Sequence, residues 1–178
     1  QRERARSARE DVDSMQVQNE VLTNLTQPSK FVGYEVSENH TTIVAMVLNG
    51  QQVDVASEGD EVLVILEETP FYAEMGGQIA DQGILESDTL KAVVKDVQKA
   101  PNGQHLHTII VESGEMHLHD QVKAAVNDDN RKQIVKNHTA THLMHRALKD
   151  VLGEHVNQAG SYVGPDRLRF DFSHFGQV

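Results

Sequence analysis

Two histidines four residues apart, His138 and His142, are the side chains of this chain best suited to binding a metal ion. On a helix, residues at that spacing lie on one face with about 5–6 Å between their Cβ atoms, so both imidazoles can reach one ion. A catalytic zinc site usually has three protein ligands and an open position. The chain contains no cysteine, so further ligands would be histidines, carboxylates or residues beyond Val178.

Other histidines offer alternatives to this pair. His145 lies seven residues after His138, but three histidines stacked along one helix cannot easily surround one ion, and a satisfied core or surface role is the simpler interpretation. Pairs at spacing i, i+2 also occur on predicted strands: His105 with His107, and His117 with His119. Side chains at that spacing share one face of a strand, so we favour an exposed, non-ligating role for them.

A glycine-rich loop, Gly76-Gly77-Gln78, is the second candidate for chemistry. Consecutive glycines let backbone N–H groups turn toward an anion or a developing oxyanion, and the Gln78 amide can donate or accept a hydrogen bond. The loop is longer than a hairpin needs, and such loops often carry function. A glycine bulge at the corner of a barrel is the structural alternative.

The elements that must position these residues are mostly strands. Alternating and β-branched runs predict strands at residues 31–36, 41–48, 51–55, 61–66, 79–85, 90–97, 105–111 and 121–126. Asn49-Gly50 is a strong signal for a type I′ hairpin turn. Short strands at this spacing predict a small β-barrel or sandwich.

The periodicity becomes helical after residue 126. Asn127 is a suitable N-cap and Gly153 a natural stop, while Asn137 marks a possible break into two helices. Strands are predicted again at 155–163 and 168–172. The fold class is therefore α+β: a connector helix at 1–29, a β-barrel-like subdomain at 30–126, and at 127–178 the first half of an α+β metal-binding subdomain.

Charge is unevenly distributed along the 178 residues, whose net charge is −11. Residues 11–90 hold fifteen acids and one base, whereas residues 91–178 hold eleven bases and ten acids. Only the second half could face phosphates comfortably, unless its bases form an ordinary solvated surface. These bases include Arg131, Lys132, Lys136, Arg146, Lys149, Arg167 and Arg169. The short apolar runs predict a soluble, cytoplasmic protein without a membrane partner. We also expect no DNA partner.

Two long motifs, in this order, resemble a known family. Residues 69–78 (TPFYAEMGGQ), followed by Asp81 and Gly83, are similar to the glycine-rich motif of alanyl-tRNA synthetase editing domains and of free-standing alanyl-tRNA deacylases. Residues 138–145 (HTATHLMH), 155–161 (HVNQAGS) and 168–174 (LRFDFSH) resemble the bacterial synthetase in particular. The likeness runs from about residue 31 to the end, and identifies the chain as a fragment covering the editing domain.

The resemblance implies a hydrolase that clears tRNA(Ala) mischarged with serine or glycine. In that family the two matching histidines, His138 and His142, bind zinc together with a downstream Cys-x-x-x-His pair that this sequence does not contain. Zinc would orient the substrate or activate a water. Alanine attachment and ATP binding would belong to other parts of the parent ligase.

Further site residues are expected around the metal. We assign catalytic roles to Gln158, which matches a glutamine of the family's pocket, and to the Gly76 and Gly77 amides as oxyanion donors. The candidates for substrate binding are Thr69, Gln78, Thr141 and Arg169. Of these, Thr69 and Thr141, together with Gln158, could reward the serine hydroxyl and so reject alanine.

Two other functions stay open at this point. One is a free-standing deacylase, against which the Arg-rich segment ahead of the barrel argues. The other is a non-catalytic tRNA- or protein-binding module in which the histidines are structural. Because two histidines leave an ion mostly solvated, we expect these 178 residues alone to bind zinc weakly and to deacylate poorly.

Overall fold

The computed structural model describes residues 20–75 and 77–174. In chain order the described strands are β1 (Lys30–Phe31), β2 (Glu38–Leu48), β3 (Gln51–Gln52), β4 (Val55–Ser57), β5 (Glu61–Leu66), β6 (Glu68–Thr69), β7 (Gly83–Ser87), β8 (Leu90–Lys99), β9 (His105–His117), β10 (Gln121–Val126), β11 (Asn157–Val163) and β12 (Leu168–Ser173); the helix α1 (Asp128–Leu152) lies between β10 and β11. Most of the predicted connector helix falls outside the described residues. Its end, residues 20–23, is helical.

Six antiparallel strands form a closed barrel. They follow the order β10-β7-β8-β9-β5-β2, and β10 also pairs with β2, from Gln121 opposite Thr42 to Ala125 opposite Glu38. That last pairing closes the ring and removes both free edges. The predicted β-barrel-like subdomain is confirmed.

Both faces of β5 are covered, which explains its uninterrupted apolar sequence. Val62, Val64 and Leu66 belong to the main core cluster. Ile65 points the other way, into a second cluster that includes Leu22 and Leu25 from the segment ahead of the barrel. The amide of Gln104 donates to the Leu25 carbonyl over 2.9 Å and holds that segment in place.

The turn prediction at Asn49-Gly50 is confirmed, since these residues have φ of 51° and 76°, as a type I′ turn requires. The predicted strand at 31–36 shrinks to Lys30–Phe31, because Glu35 and Val36 both donate backbone bonds to the Val32 carbonyl in a tight turn. The strand predicted at 79–85 begins only at Gly83, since the preceding residues form a loop.

The helix α1 is continuous over 25 residues, so the predicted break at Asn137 is wrong. The Asn137 amide donates outward to the Gly164 carbonyl over 2.6 Å and leaves the helical backbone intact. The predicted ends are confirmed: the Asn127 side chain accepts from the Asn130 amide, and Gly153 is the C-cap. Among the described residues there is no helix long and apolar enough to cross a membrane.

Strands β11 and β12 form an antiparallel hairpin that contacts α1. Strand β11 begins at Asn157, two residues later than predicted. Helix and hairpin next to an antiparallel barrel make the fold α+β, as the sequence predicts.

Candidate active site

The two histidines of α1 meet as their spacing predicts. The Nε2 atoms of His138 and His142 are 2.9 Å apart, and the ring planes are inclined by 80°. Both Nε2 atoms therefore point to one place, as two ligands of one ion do. No third His, Cys, Asp or Glu completes a metal-binding group within residues 20–75 and 77–174.

The environment of these side chains fits a metal ligand in part. His138 Nδ1 is buried and, among the described residues, has no hydrogen-bond partner, whereas a ligating histidine usually donates its second ring N–H. His145 Nε2 is likewise buried and has no hydrogen-bond partner among the described residues. Its ring lies 5.3 Å from that of Phe170 on β12, so His145 is a packed side chain but not a satisfied one.

The glycine loop is bound to the hairpin by its backbone. The Val163 amide donates to the Gly77 carbonyl over 2.7 Å, and the Ile79 amide donates to the Val163 carbonyl over 3.1 Å. Gly77 has φ of +82°, and a Cβ built there would lie 2.4 Å from the Ser161 carbonyl oxygen. Gly77 therefore permits a close backbone approach as well as a turn, while Gly76 lies outside the described residues.

This contact gives a first prediction. Gly77→Ala is expected to lower the free energy of unfolding by about 2–4 kcal/mol, because about 1–2 kcal/mol for left-handed backbone adds to the clash with Ser161. Gly103→Ala is the matched control: its φ is +87°, but nothing in the described chain lies within 4 Å of the built Cβ. Urea unfolding of both variants separates backbone strain from contact, and equal losses would contradict the proposed clash.

The segment that leads from β6 into the glycine loop lies over two histidines of β9, His105 and His107. His107 is fully buried, with Nδ1 2.9 Å from the Val64 carbonyl oxygen and Nε2 2.7 Å from Thr69 Oγ1. Burial lowers the pKa of His107 to about 4, so the ring is neutral at pH 7. Because a carbonyl only accepts, Nδ1 carries the proton and Nε2 accepts from the Thr69 hydroxyl. Thr69 Oγ1 in turn accepts from the Phe71 amide.

The prediction that His105 and His107 share an exposed face is therefore wrong. His105 is half-buried and its Nδ1 bonds the Phe71 carbonyl over 2.9 Å, while burial lowers its pKa. Their common face points beneath the loop and not to solvent. His117 is exposed and bonds Glu115, but His119 has φ of +70° and lies in a turn, so these two do not alternate along a strand.

A buried ion pair that sequence reasoning missed joins α1 to the barrel. The guanidinium of Arg131 binds the carboxylate of Asp81, which is 3% exposed, and also donates to the carbonyls of Gly33 and Pro70. Asp81 accepts from the Tyr72 amide over 2.8 Å as well. Arg131 is therefore not available to phosphates, although the sequence groups it with the bases of the second half. Asp81, which lies within the glycine-rich motif, was the sequence signal for a buried basic partner.

A cavity of about 570 Å³ lies between the barrel, the glycine loop and α1. Its walls include Phe31, Tyr34, Tyr72, Gln78, Arg131 and His138. Two residues chosen from the sequence, Gln78 and His138, therefore meet at one cavity. Thr141 is buried in α1, where its hydroxyl donates to the Asn137 carbonyl, and Gln158 and Arg169 are exposed on the hairpin.

The family model described as "tRNA synthetases class II (A)" matches residues 1–130. The chain belongs to the class II tRNA synthetases. The matched region ends just before Arg131, so it does not include the histidine pair.

Curated relatives do extend over the histidine pair. The chain is 74% identical to the alanine–tRNA ligase of Lysinibacillus sphaericus, 62% to that of Geobacillus thermodenitrificans and 61% to that of Listeria innocua, each over all 178 residues. It spans 20% of the length of each of these ligases.

Proposed function

We propose that this chain is the editing region of an alanine–tRNA ligase and hydrolyses the ester bond of tRNA(Ala) mischarged with serine or glycine. One observation supports this proposal most directly. His138, whose Nε2 converges with that of His142, lines the same cavity as Gln78 of the glycine loop. Alanine attachment, with ATP, belongs in this proposal to parts of the protein outside these residues. The ligase names of the relatives support that assignment.

Physical chemistry explains why such an enzyme needs a second site. A pocket that accepts alanine cannot sterically exclude glycine, and an apolar pocket rejects one added hydroxyl only weakly. A site that bonds the serine hydroxyl can in contrast discriminate strongly, because its polar groups stay unpaired when alanine occupies it.

Zinc is the cofactor in this proposal, held by the neutral imidazoles of His138 and His142. A zinc ion supplies positive charge that polarises an ester carbonyl or a water. His138 Nδ1, buried without a partner among the described residues, then carries the proton that keeps Nε2 free as a ligand. Further ligands are expected from a downstream Cys-x-x-x-His pair.

The remaining residues receive roles that match where they lie. The Gln78 amide faces the cavity and binds a polar group of the substrate. Thr141 donates to a carbonyl, yet its oxygen keeps lone pairs that can accept from a serine hydroxyl. Gln158 and Arg169 lie exposed on the hairpin. The Arg169 Nε atom pairs with Asp171 over 3.2 Å, and its other N–H groups can meet a phosphate, while Gln158 can meet the aminoacyl group. Fully buried Thr69 acts through His107 and the loop.

The decisive experiment compares hydrolysis of seryl-tRNA(Ala) and alanyl-tRNA(Ala) with zinc present. We expect slow serine release from these 178 residues and faster release from a chain continued along its reading frame through the downstream ligands. His138→Ala should reduce both zinc affinity and serine release by about tenfold or more, whereas His40→Ala, at an exposed histidine of β2, should change neither.

The opposite result would support the binding module. A folded, zinc-loaded protein that releases neither amino acid would contradict the editing function and leave tRNA docking as the better account. Equal release of serine and alanine would contradict the assigned selectivity.

A further inference from the structure

Methionine is the side chain of this protein most open to oxidation, because the 178 residues contain five Met and no Cys. Two of the described methionines, Met46 and Met116, are buried in the barrel core. Met75, immediately before the glycine loop, is 47% exposed, and Met144 on α1 is 40% exposed. An oxidant in solution therefore reaches the sulfur atoms of Met75 and Met144 before those of the core.

The position of Met75 distinguishes it from Met144. The Met75 backbone amide donates to the Gln78 carbonyl over 3.2 Å, and the Gln78 backbone amide donates to the Met75 carbonyl over 3.1 Å. The two residues thus form a hydrogen-bonded antiparallel pair, whose side chains lie on one face with about 5 Å between the Cβ atoms. Both residues line the cavity beside His138, whereas Met144 does not.

We propose that Met75 is an oxidation site, and that its sulfoxide engages the side-chain amide of Gln78 and slows hydrolysis. The inference rests on the proposed function, in which the Gln78 amide binds a polar group of the substrate. A thioether is apolar and only a weak acceptor, whereas a sulfoxide oxygen is polar and accepts hydrogen bonds. Because the two side chains share a face, that oxygen lies within reach of the Gln78 amide and competes with the substrate for it.

Hydrogen peroxide is the oxidant in this step. A lone pair of the Met75 sulfur attacks one peroxide oxygen, and the S–O bond forms as the O–O bond breaks. The other oxygen leaves as hydroxide and takes the proton of the transferred oxygen to become water. Sulfur loses two electrons and the peroxide gains them. A methionine sulfoxide reductase with a thiol reductant releases the oxygen as water, so the change is reversible.

Peroxide treatment of the 178-residue chain tests this without interference from thiols, since the chain has no cysteine. Peptide mass spectrometry should find the sulfoxide at Met75 and Met144 and not at the two core methionines. In the NMR spectrum of an isotope-labelled chain, the side-chain amide signals of Gln78 should shift on oxidation and return after treatment with the reductase. Met75 that stays reduced while Met144 is oxidised would overturn the inference.

Two variants assign the shift to one sulfur atom. Met75→Leu keeps an apolar side chain of similar volume that peroxide does not oxidise, so its Gln78 signals should not respond. The matched control is the double variant Met15→Leu and Met144→Leu, in which Met75 remains; Met15 lies outside the described residues. It should respond like the unmodified chain. Unchanged Gln78 signals when Met75 is fully oxidised, or the same shift in treated Met75→Leu, would also overturn the inference.

Hydrolysis assays separate this inference from the function on which it rests. With zinc present and the peroxide removed, oxidation should slow serine release from seryl-tRNA(Ala) by about two- to tenfold, the effect of losing one hydrogen bond. The reductase should restore the rate, and treated Met75→Leu should keep its own starting rate. Equal release before and after full oxidation of Met75 would overturn the oxidation site alone. A Met75-dependent shift of the Gln78 signals in a chain that releases no serine would overturn the editing function alone.

Discussion

An Arg131→Met substitution is expected to lower the free energy of unfolding by about 3–5 kcal/mol, as removal of one partner from a buried ion pair does. The Asp81 carboxylate is 3% exposed and would be left in a poorly solvated place without its guanidinium. The carbonyls of Gly33 and Pro70 would lose a donor at the same time. Methionine retains the apolar length of the side chain, so the loss reports the polar contacts.

Urea unfolding at pH 7 measures this effect. Lys132→Met, at the next and exposed position of α1, is the matched control and should change stability by less than about 0.5 kcal/mol. Adding Asp81→Asn to Arg131→Met should recover part of the loss, because the stranded charge is then removed. A loss below about 1 kcal/mol in Arg131→Met would show that the ion pair does not hold α1 to the barrel.

Acid is expected to destabilise the fold through His107. Its pKa is about 4 in the folded chain against an ordinary value of 6.5, with burial as the main cause. Above pH 6.5 the ring is neutral in both states and the stability is full. As the pH falls from 6.5 to about 4, only the unfolded chain takes up the proton, so about 3 kcal/mol of stability is lost in that interval.

The slope of unfolding free energy against pH tests this prediction. His107→Gln keeps a donor and an acceptor near Val64 and Thr69 but has no titrating group, so its slope between pH 4 and 6.5 should be much smaller. A residual slope should remain from His105, whose pKa burial also lowers. His40→Gln should keep the original slope, and an unchanged slope in His107→Gln would contradict the assignment.

The local signals of the sequence were sufficient for the barrel strands and for both ends of α1. Asn49-Gly50 and Asn127 act through their own backbone or the next few residues, so neighbours in sequence determine them. Alternation identifies the two faces of a strand but does not say which one is covered, and for this reason it predicts the wrong face for His105 and His107. The covered face depends on the loop over β9, which begins at Thr69.

The candidate site shows the same limit. The histidine pair follows from helical spacing, which is a local property. The cavity beside it does not: Phe31, Tyr72 and His138 are far apart in sequence and meet only because β1 pairs with β6 and Arg131 binds Asp81. The break predicted at Asn137 is wrong for a related reason, since the side chain bonds Gly164, which is 27 residues away.

The backbone pairing of the glycine loop with β11 has a consequence for motion. A boundary drawn at residue 126 from the sequence separates two patterns, but Gly77 and Ile79 on one side exchange hydrogen bonds with Val163 on the other. Opening the two halves would break both bonds and separate Arg131 from Asp81. A ligand of the cavity beside His138 therefore enters without a hinge motion of these two halves, and its rate of binding is set by orientation.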